Sequence, residues 1–126
     1  MNRTVITAVD DMFFAAKIRA TAEHLGVTLR SVRNLETLLS VARDTVPDLI
    51  IVNLHSEKID PLAVARALKS DQKLAATTLL GFFSHVQTDL KQSALAAGYD
   101  LVIPRSVFSR DLASILEGKF GGTAIS

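Results

Sequence analysis

DLIIVNL, residues 48–54, is the most apolar run of the 126-residue chain, and its isoleucine and valine content predicts a central β-strand. A strand covered by helices on both faces is apolar throughout instead of alternating, which is the pattern of a parallel sheet. The run is interrupted by a polar residue, Asn53. This stretch therefore indicates an α/β fold and marks a strand end at which function should be sought.

Four further strand-like runs lie on either side of it: TVITAV (4–9), VTLRSV (27–32), TTLLGFF (77–83) and LVIP (101–104). Between the runs, apolar residues recur at spacings of three and four, which is typical of amphipathic helices. Five strands that each precede a helix predict a doubly wound, five-stranded parallel sheet. We expect one domain over residues 1–118 and a flexible, glycine-rich tail over 119–126.

The helices are predicted from their apolar stripes and their end signals. Gly26 and Gly98 are placed to end the first and fourth helices, and Asp60-Pro61 is placed to begin the third. The fourth helix is expected over residues 86–97. The other stripes are Phe14, Ile18, Ala22 and Leu25 for the first helix, Leu35, Leu38, Leu39, Ala42 and Val46 for the second, and Leu112, Ile115 and Leu116 for a last one.

Composition excludes several classes of protein. The formal net charge is +1, from 14 basic and 13 acidic residues, which leaves no electrostatic signal for nucleic acid or an anionic membrane. No apolar run approaches the roughly 18–20 residues of a membrane span, and the start of the chain lacks the apolar core of a secretory signal. The absence of cysteine removes disulfides and thiolate chemistry. We therefore expect a cytoplasmic protein that binds neither nucleic acid nor membrane.

Polar residues follow four of the predicted strands, where a doubly wound sheet carries its functional groups. Asp10 and Asp11 follow the first strand, Asn53 closes the third, Ser84 follows the fourth and Arg105 follows the fifth. Because the carboxyl ends of parallel strands share one edge of the sheet, these side chains are expected to lie together.

This set resembles the receiver domains of bacterial two-component response regulators over about residues 4–118. Those domains have an acidic pair after the first strand, an aspartate closing the third, a small hydroxyl residue closing the fourth and a lysine after the fifth. Asp60-Pro61 lies where the family usually has Asp-Gly, and residues 96–100 match its Ala-Gly-Ala-Asp stretch. The resemblance implies the flavodoxin-like (βα)5 fold and a role in signal transduction.

By position, the resemblance places Asn53 at the phosphorylated aspartate of the family. Asp10 and Asp11 match the acidic pair that binds Mg²⁺, with Asp11 as the expected direct ligand, and His55 matches the residue that lends a carbonyl oxygen to the metal. Arg105 matches the lysine that contacts the phosphoryl group.

The residues that couple phosphorylation to conformational change also differ from the family. Phe83 falls at the hydroxyl position and Ser84 comes one residue late. Val102, or Leu101 after a one-residue slip, replaces the switching aromatic residue. Pro104 precedes Arg105, whereas the family has proline after its lysine.

Asn53 decides the functional expectation, because a neutral carboxamide is a poor nucleophile and cannot form an acyl phosphate. Two carboxylates and an amide also bind Mg²⁺ more weakly than three carboxylates. We expect no enzymatic activity, no cofactor beyond weakly bound Mg²⁺, and an Arg105 guanidinium that neutralises Asp10 or Asp11, with bidentate geometry, in place of a metal.

The leading hypothesis is an atypical receiver-like domain that signals without phosphorylation, by docking to a signalling protein or by dimerisation. The face formed by the fourth helix, fifth strand and fifth helix is the working surface that the resemblance implies. It would include Thr88, Lys91, Gln92, Tyr99, Arg110 and Ser114. The alternative is a switch that responds to a small anion or metabolite bound by Asp10, Asp11 and Arg105.

Simpler interpretations remain for several residues. Asp10 and Asp11 are also what a plain helix N-terminus favours, and Asn53 is also a suitable strand-end cap. Four phenylalanines are core candidates: Phe13, Phe14, Phe82 and Phe83. Three histidines lack metal-ligand spacing, with His24 on a helix and His55 and His85 expected in exposed loops.

Overall fold

A computed structural model of the protein describes residues 3–84 and 88–119. Five parallel strands form one sheet in the order β2-β1-β3-β4-β5. The strands are β1 (Thr4–Ala8), β2 (Thr28–Ser31), β3 (Leu49–Asn53), β4 (Thr78–Phe83) and β5 (Leu101–Pro104). The predicted flavodoxin-like, five-stranded α/β fold is confirmed.

In the described ranges, six helices accompany the strands: α1 (Met12–Leu25), α2 (Leu35–Thr45), α3 (Pro61–Ser70), α4 (Thr88–Ala97), α5 (Arg105–Arg110) and α6 (Leu112–Leu116). Their predicted end signals are in place. Asn34 and Asp60 cap α2 and α3 through their side chains, and Gly26 ends α1 in the left-handed conformation. Residues 85–87, which contain His85 and the predicted start of the fourth helix, lie outside the described residues, as does most of the predicted tail.

The sheet separates two apolar cores, because neighbouring residues of a strand face opposite sides. In β1, Val5 packs with α1, α5 and α6, whereas Ile6 packs with α2, α3 and α4. β3 continues the alternation, and its apolar residues are fully buried. This double burial is the reason that DLIIVNL is apolar throughout.

The C-terminal region differs from the single last helix that was predicted. α5 begins directly at the end of β5 and stops at Arg110, and α6 follows after a break at Asp111. The Arg110 guanidinium donates to both carboxylate oxygens of Asp111, at 3.0 and 2.9 Å. Pro104 precedes α5 with φ −64°, which suits a helix start, and no peptide bond in the described ranges is cis.

Three predictions about which side chains are buried and which are exposed were wrong. Phe13 is 91% exposed, because the helix begins at Met12 and only the stripe that starts at Phe14 faces the sheet. Val46 lies beyond the end of α2, is 45% exposed and has a positive φ of 46°. Tyr99, expected on the working surface, is buried, and its hydroxyl donates to the Pro61 carbonyl at 2.8 Å.

The two ends of the described chain meet at the amino ends of the strands. Arg3, just before β1, donates from Nε to the carbonyl of Leu116 in α6, at 2.9 Å. A Cβ placed on Gly118 would come within 2.9 Å of the Arg3 guanidinium. This contact joins the segment before β1 to the end of α6, on the side of the sheet opposite to the carboxyl edge.

Candidate functional site

The strand ends that carry the predicted site residues lie side by side. Asn53 of β3 pairs with Phe82 of β4, and Phe83 pairs with Pro104 of β5. Ala8, the last residue of β1, pairs with Val52, which directly precedes Asn53. Because all of the strands are parallel, the residues that follow them converge on one edge of the sheet.

Asp11 is fixed by the start of α1. Its carboxylate oxygen Oδ1 accepts the backbone N–H groups of Phe13 at 2.9 Å and Phe14 at 3.1 Å, so Asp11 is the N-cap of the helix. The first backbone N–H groups of a helix have no partner within it, and an acidic cap satisfies them. Asp11 is therefore a structural cap as well as a member of the acidic pair.

Arg105 lies against the other oxygen of the same carboxylate. Its terminal nitrogen is 2.9 Å from Asp11 Oδ2, and its guanidinium carbon is 4.3 Å from the centre of the Phe14 ring. The predicted partnership of Arg105 with the acidic pair is thus present, but through one nitrogen, because Oδ1 is already taken by the helix N-terminus. The ring adds a cation–π contact that holds the guanidinium over α1.

Phe14 itself belongs to a cluster of three rings beneath Arg105. Its ring meets those of Phe82 and Phe108 edge to face, with centroids 5.3 and 5.5 Å away, and the latter two rings stack at 4.9 Å. These three side chains are buried, so the ring cluster beneath Arg105 is part of the core. Packing of this kind leaves the ring under the guanidinium little freedom to move.

The electrostatics of Asp11 follow from these contacts. The hydrogen bond from Arg105, followed by that from the Phe14 N–H, holds the pKa of the Asp11 carboxyl below its usual value of 3.8. Both side chains of the pair are 37% exposed, so water screens part of the attraction. Asp11 is ionised in neutral solution, and its negative charge is directed at Arg105.

Asp10 has a different partner. The Ser56 hydroxyl donates to Asp10 Oδ2 at 3.1 Å and accepts the backbone N–H groups of Lys58 and Ile59, each at 3.2 Å. Ser56 thereby orders the loop between β3 and α3 and ties it to the end of β1. Ser56 was not among the predicted site residues, although a serine hydroxyl that accepts from backbone N–H groups two and three residues ahead is a known turn pattern.

Asn53 directs its side chain back onto its own loop. The carboxamide oxygen accepts the backbone N–H of His55 at 2.9 Å, and the Asn53 carbonyl accepts that of Ser56 at 3.0 Å. This is a local turn of the type that asparagine and aspartate favour. The side-chain oxygen of Asn53 therefore serves as a strand-end cap, as the simpler interpretation of this residue proposed.

The remaining predicted site residues are more dispersed. His55 lies in the β3–α3 loop and is half-buried, so the expectation of an exposed histidine was wrong. Ser84 is exposed, Phe83 is half-buried at the end of β4, and Val102 is buried one strand away, paired with Gly81. Among the described residues, Ser84 forms no hydrogen bond to the acidic pair, and the Val102 side chain is apolar. The structure therefore groups Asp10, Asp11, Asn53 and Arg105 and leaves Ser84 and Val102 outside.

The side-chain oxygens at the carboxyl edge of the sheet are poorly arranged to bind Mg²⁺. The metal would need oxygens from Asp10, Asp11 and Asn53, yet Asp11 already binds a guanidinium and two N–H groups, and the Asn53 oxygen accepts from His55. Within residues 3–84 and 88–119, no cluster of three or more histidine and acidic side chains is arranged to hold a metal.

Comparison with solved structures identifies the fold. A response regulator from Hahella chejuensis superposes with a TM-score of 0.84 at 20% identity, covering 95% of this chain and 96% of its own. A chemotaxis response regulator of Vibrio cholerae gives 0.81 at 15% identity, over 94% and 99% of the two chains. The receiver domain of a sensor histidine kinase from Pseudomonas aeruginosa, whose structure holds magnesium in its active-site cleft, gives 0.81 at 15% identity, over 97% and 100%.

At these identities the likeness shows the fold of a receiver domain. No protein-family model matches the sequence, and no curated protein does. In the part of the chain that the structure describes, none of the helices combines the length and apolar character of a membrane span.

Proposed function

We propose that this chain is a receiver-like signalling domain that acts without phosphorylation, by docking to a protein partner. The observation that carries the proposal is the side chain at the acceptor position. Asn53 replaces a carboxylate by a carboxamide whose oxygen is engaged by the His55 N–H. A group that is neutral, weakly nucleophilic and held in a turn does not attack a phosphorus atom.

Arg105 supports the same proposal. In receiver domains that bind Mg²⁺, the cation neutralises the acidic cluster, whereas here a guanidinium is already paired with Asp11 over the Phe14 ring. An arginine cannot be deprotonated in a protein, so this charge compensation is permanent. The domain would therefore be held in one electrostatic state, which suits constitutive docking better than a switch.

The docking face that we propose is formed by α4, β5 and the C-terminal helices, and the partner is a second copy of the chain. Its exposed residues include Lys91 and Asp89 of α4 and Arg110 at the end of α5. Leu95 adds an apolar side chain that is 44% exposed. A two-fold interface brings each patch against its own copy, so mixed charges on one face can pair across it.

The chemical part of the proposal is tested by intact-mass measurement after incubation with Mg²⁺ and a small-molecule phosphodonor. We expect no phosphoryl gain in the native chain and one phosphoryl group on Asn53→Asp, because the aspartate restores the nucleophile at the family position. Asn34→Asp is the matched control. It makes the same substitution at the exposed N-cap of α2 and should gain nothing.

Phosphoryl gain in the native chain would contradict the proposal. Gain in neither the native chain nor Asn53→Asp would mean that Arg105 and the loop have altered the pocket further, which still leaves the domain independent of phosphorylation.

Self-association is tested by size-exclusion chromatography with light scattering over a range of concentrations. We expect a dimer that Leu95→Glu weakens, because a charge would be buried at an apolar contact. A native chain that stays monomeric throughout would rule out the second copy as partner. The alternative of a small anion bound by Asp10, Asp11 and Arg105 is weaker, because Arg105 is already paired with Asp11.

A further inference from the structure

A cleft on the β2 side of the sheet adjoins the acidic pair and shares Asp10 with it. Its volume is about 460 Å³, and it lies between α1, the loop after β2 and the loop between β3 and α3. Three basic residues line it, one from each of these segments: Arg19, Arg33 and Lys58. The fold thus brings three positive charges from distant parts of the sequence to one opening.

These three cations lack the carboxylate partners that some other basic residues of the chain have. Arg43, Arg105 and Arg110 each form an ion pair with a carboxylate 2.9 Å away. Within the ranges that the structure describes, Arg19, Arg33 and Lys58 have no carboxylate within 4.0 Å and no side-chain hydrogen bond. Like charges held around one cleft repel one another, and a bound anion would relieve that repulsion.

The rest of the cleft adds an apolar wall and one carboxylate. Val9 and the buried Val32 form part of its lining, and Asp10 stands at its edge, held by the Ser56 hydroxyl. The formal charge of the lining is three cations less one carboxylate, or +2. A few charged groups around an apolar surface, in a volume of several hundred Å³, are the features of a small-molecule site.

We propose that this cleft binds a phosphate ester with a flat organic ring, of the size of a nucleoside diphosphate. The phosphates bind Arg19, Arg33 and Lys58, since guanidinium groups donate paired hydrogen bonds to phosphate oxygens. The ring lies on the apolar wall, and Asp10 accepts a hydrogen bond from a hydroxyl or amino group of the ligand. The lining of this site includes neither Asn53 nor a residue of the proposed docking face.

Isothermal titration calorimetry with ADP, at low salt and without divalent cations, tests the proposal. We expect saturable binding by the native chain, weakened about fivefold or more by Arg33→Gln and by Lys58→Gln, because each loses a charged hydrogen bond to phosphate. Arg30→Gln is the matched control. It removes the same charge from an exposed residue of β2 that lines a different groove, and should leave the affinity within about twofold.

Pyrophosphate, titrated in parallel, should bind at least about fivefold more weakly than ADP if the apolar wall contacts a ring. The proposal is overturned by no saturable binding of ADP, by equal affinities for ADP and pyrophosphate, or by an equal loss in Arg30→Gln. Circular dichroism of each variant confirms that a lost signal does not come from unfolding.

Discussion

At the scale of single residues, Arg105 has the most consequential position, because it contacts both a charge and a ring. It lies 2.9 Å from Asp11 Oδ2 and 4.3 Å from the Phe14 ring centre. A lysine side chain is a flexible point charge, whereas arginine offers a flat surface that can stack on a ring while it donates to a carboxylate. Arginine at this position therefore favours a fixed contact over a movable one.

Arg105→Gln should raise the pKa of the Asp11 carboxyl toward 3.8, because Arg105 is the largest cause of its lowering. The folded pKa of Asp11 is depressed, so its stabilising contribution is present above about 3.8 and is lost as the pH falls through the folded value. The variant should thus lose stability relative to the native chain at neutral pH, and this difference should disappear in acid.

An NMR titration of carboxyl carbons measures this pKa directly. Arg110→Gln is the matched control, since it should raise the pKa of Asp111 and leave Asp11 unchanged. An Asp11 pKa that stays the same in Arg105→Gln would show that the helix N-terminus alone sets it.

The sequence predicted the members of this site better than their partners. Asp10, Asp11, Asn53 and Arg105 follow from strand ends that share one edge. The different partners of Asp10 and Asp11 could not be predicted from the sequence. Asp10 accepts from Ser56, and the position of Ser56 depends on the path of the folded loop between β3 and α3. The sequence also did not predict that Arg105 contacts the carboxylate through one nitrogen only. This geometry arises because Asp11 Oδ1 caps the helix.

At the scale of elements, the end of α2 carries local strain. Val46 has φ 46° and ψ 72°, a left-handed conformation in which a β-branched side chain crowds the backbone, and Pro47 follows it. Its apolar spacing suggested a continuation of the helical stripe, but Pro47 prevents continuation and the chain must turn here. Periodicity alone does not reveal where a stripe stops being helical.

Val46→Gly should raise the free energy of unfolding by about 0.5–1 kcal/mol, because the relief of left-handed strain outweighs the entropic cost of glycine. The measurement is the urea midpoint at neutral pH. Val46→Ala is the control, since it removes the branched methyl groups but keeps the Cβ that causes the strain. A glycine variant no more stable than the alanine variant would contradict this explanation.

The split of the last helix is a second element-scale feature that spacing did not predict. Leu112, Ile115 and Leu116 correctly marked α6, and all three are buried. α5 was missed because its stripe is short and depends mainly on Phe108, which completes the ring cluster. A six-residue segment with one buried aromatic residue has no repeat of apolar residues from which a helix could be predicted.

At the scale of the whole molecule, the sheet couples its two cores. Each central strand gives alternate residues to opposite faces, so neither core can lose its packing without disturbing the strands that the other needs. The chain has one tyrosine and no tryptophan, so intrinsic fluorescence reports only Tyr99, which lies in the core with α2, α3 and α4. Tyrosine fluorescence therefore reports directly on the core on one side of the sheet.

Urea unfolding followed by tyrosine fluorescence and by far-ultraviolet circular dichroism should give one common midpoint, as expected for a two-state transition. Ile18→Ala, on the opposite face, should lower the stability reported by Tyr99 by about 2–5 kcal/mol, the usual cost of such a cavity. Separate midpoints, or a Tyr99 transition unmoved by Ile18→Ala, would show that the two cores unfold independently.

The overall fold was the part that the sequence predicted most fully, because buried parallel strands and helix caps leave strong local patterns. The order β2-β1-β3-β4-β5 was not among the predictions, since periodicity does not specify which strands are neighbours. Burial of Tyr99 was missed for a related reason, as its hydroxyl is satisfied by Pro61, 38 residues away in sequence.

The contact of Arg3 with Leu116 and Gly118 has a practical consequence for engineering the chain. Fluorescent labels or affinity handles attached next to Arg3 or Gly118 would leave from the side of the sheet opposite to Asp11 and the basic cleft, and so would not obstruct them. The same proximity suits circular permutation. A short peptide joining Gly118 to Arg3 would preserve the strand pairings of the described residues, and new termini could then be opened in an exposed loop.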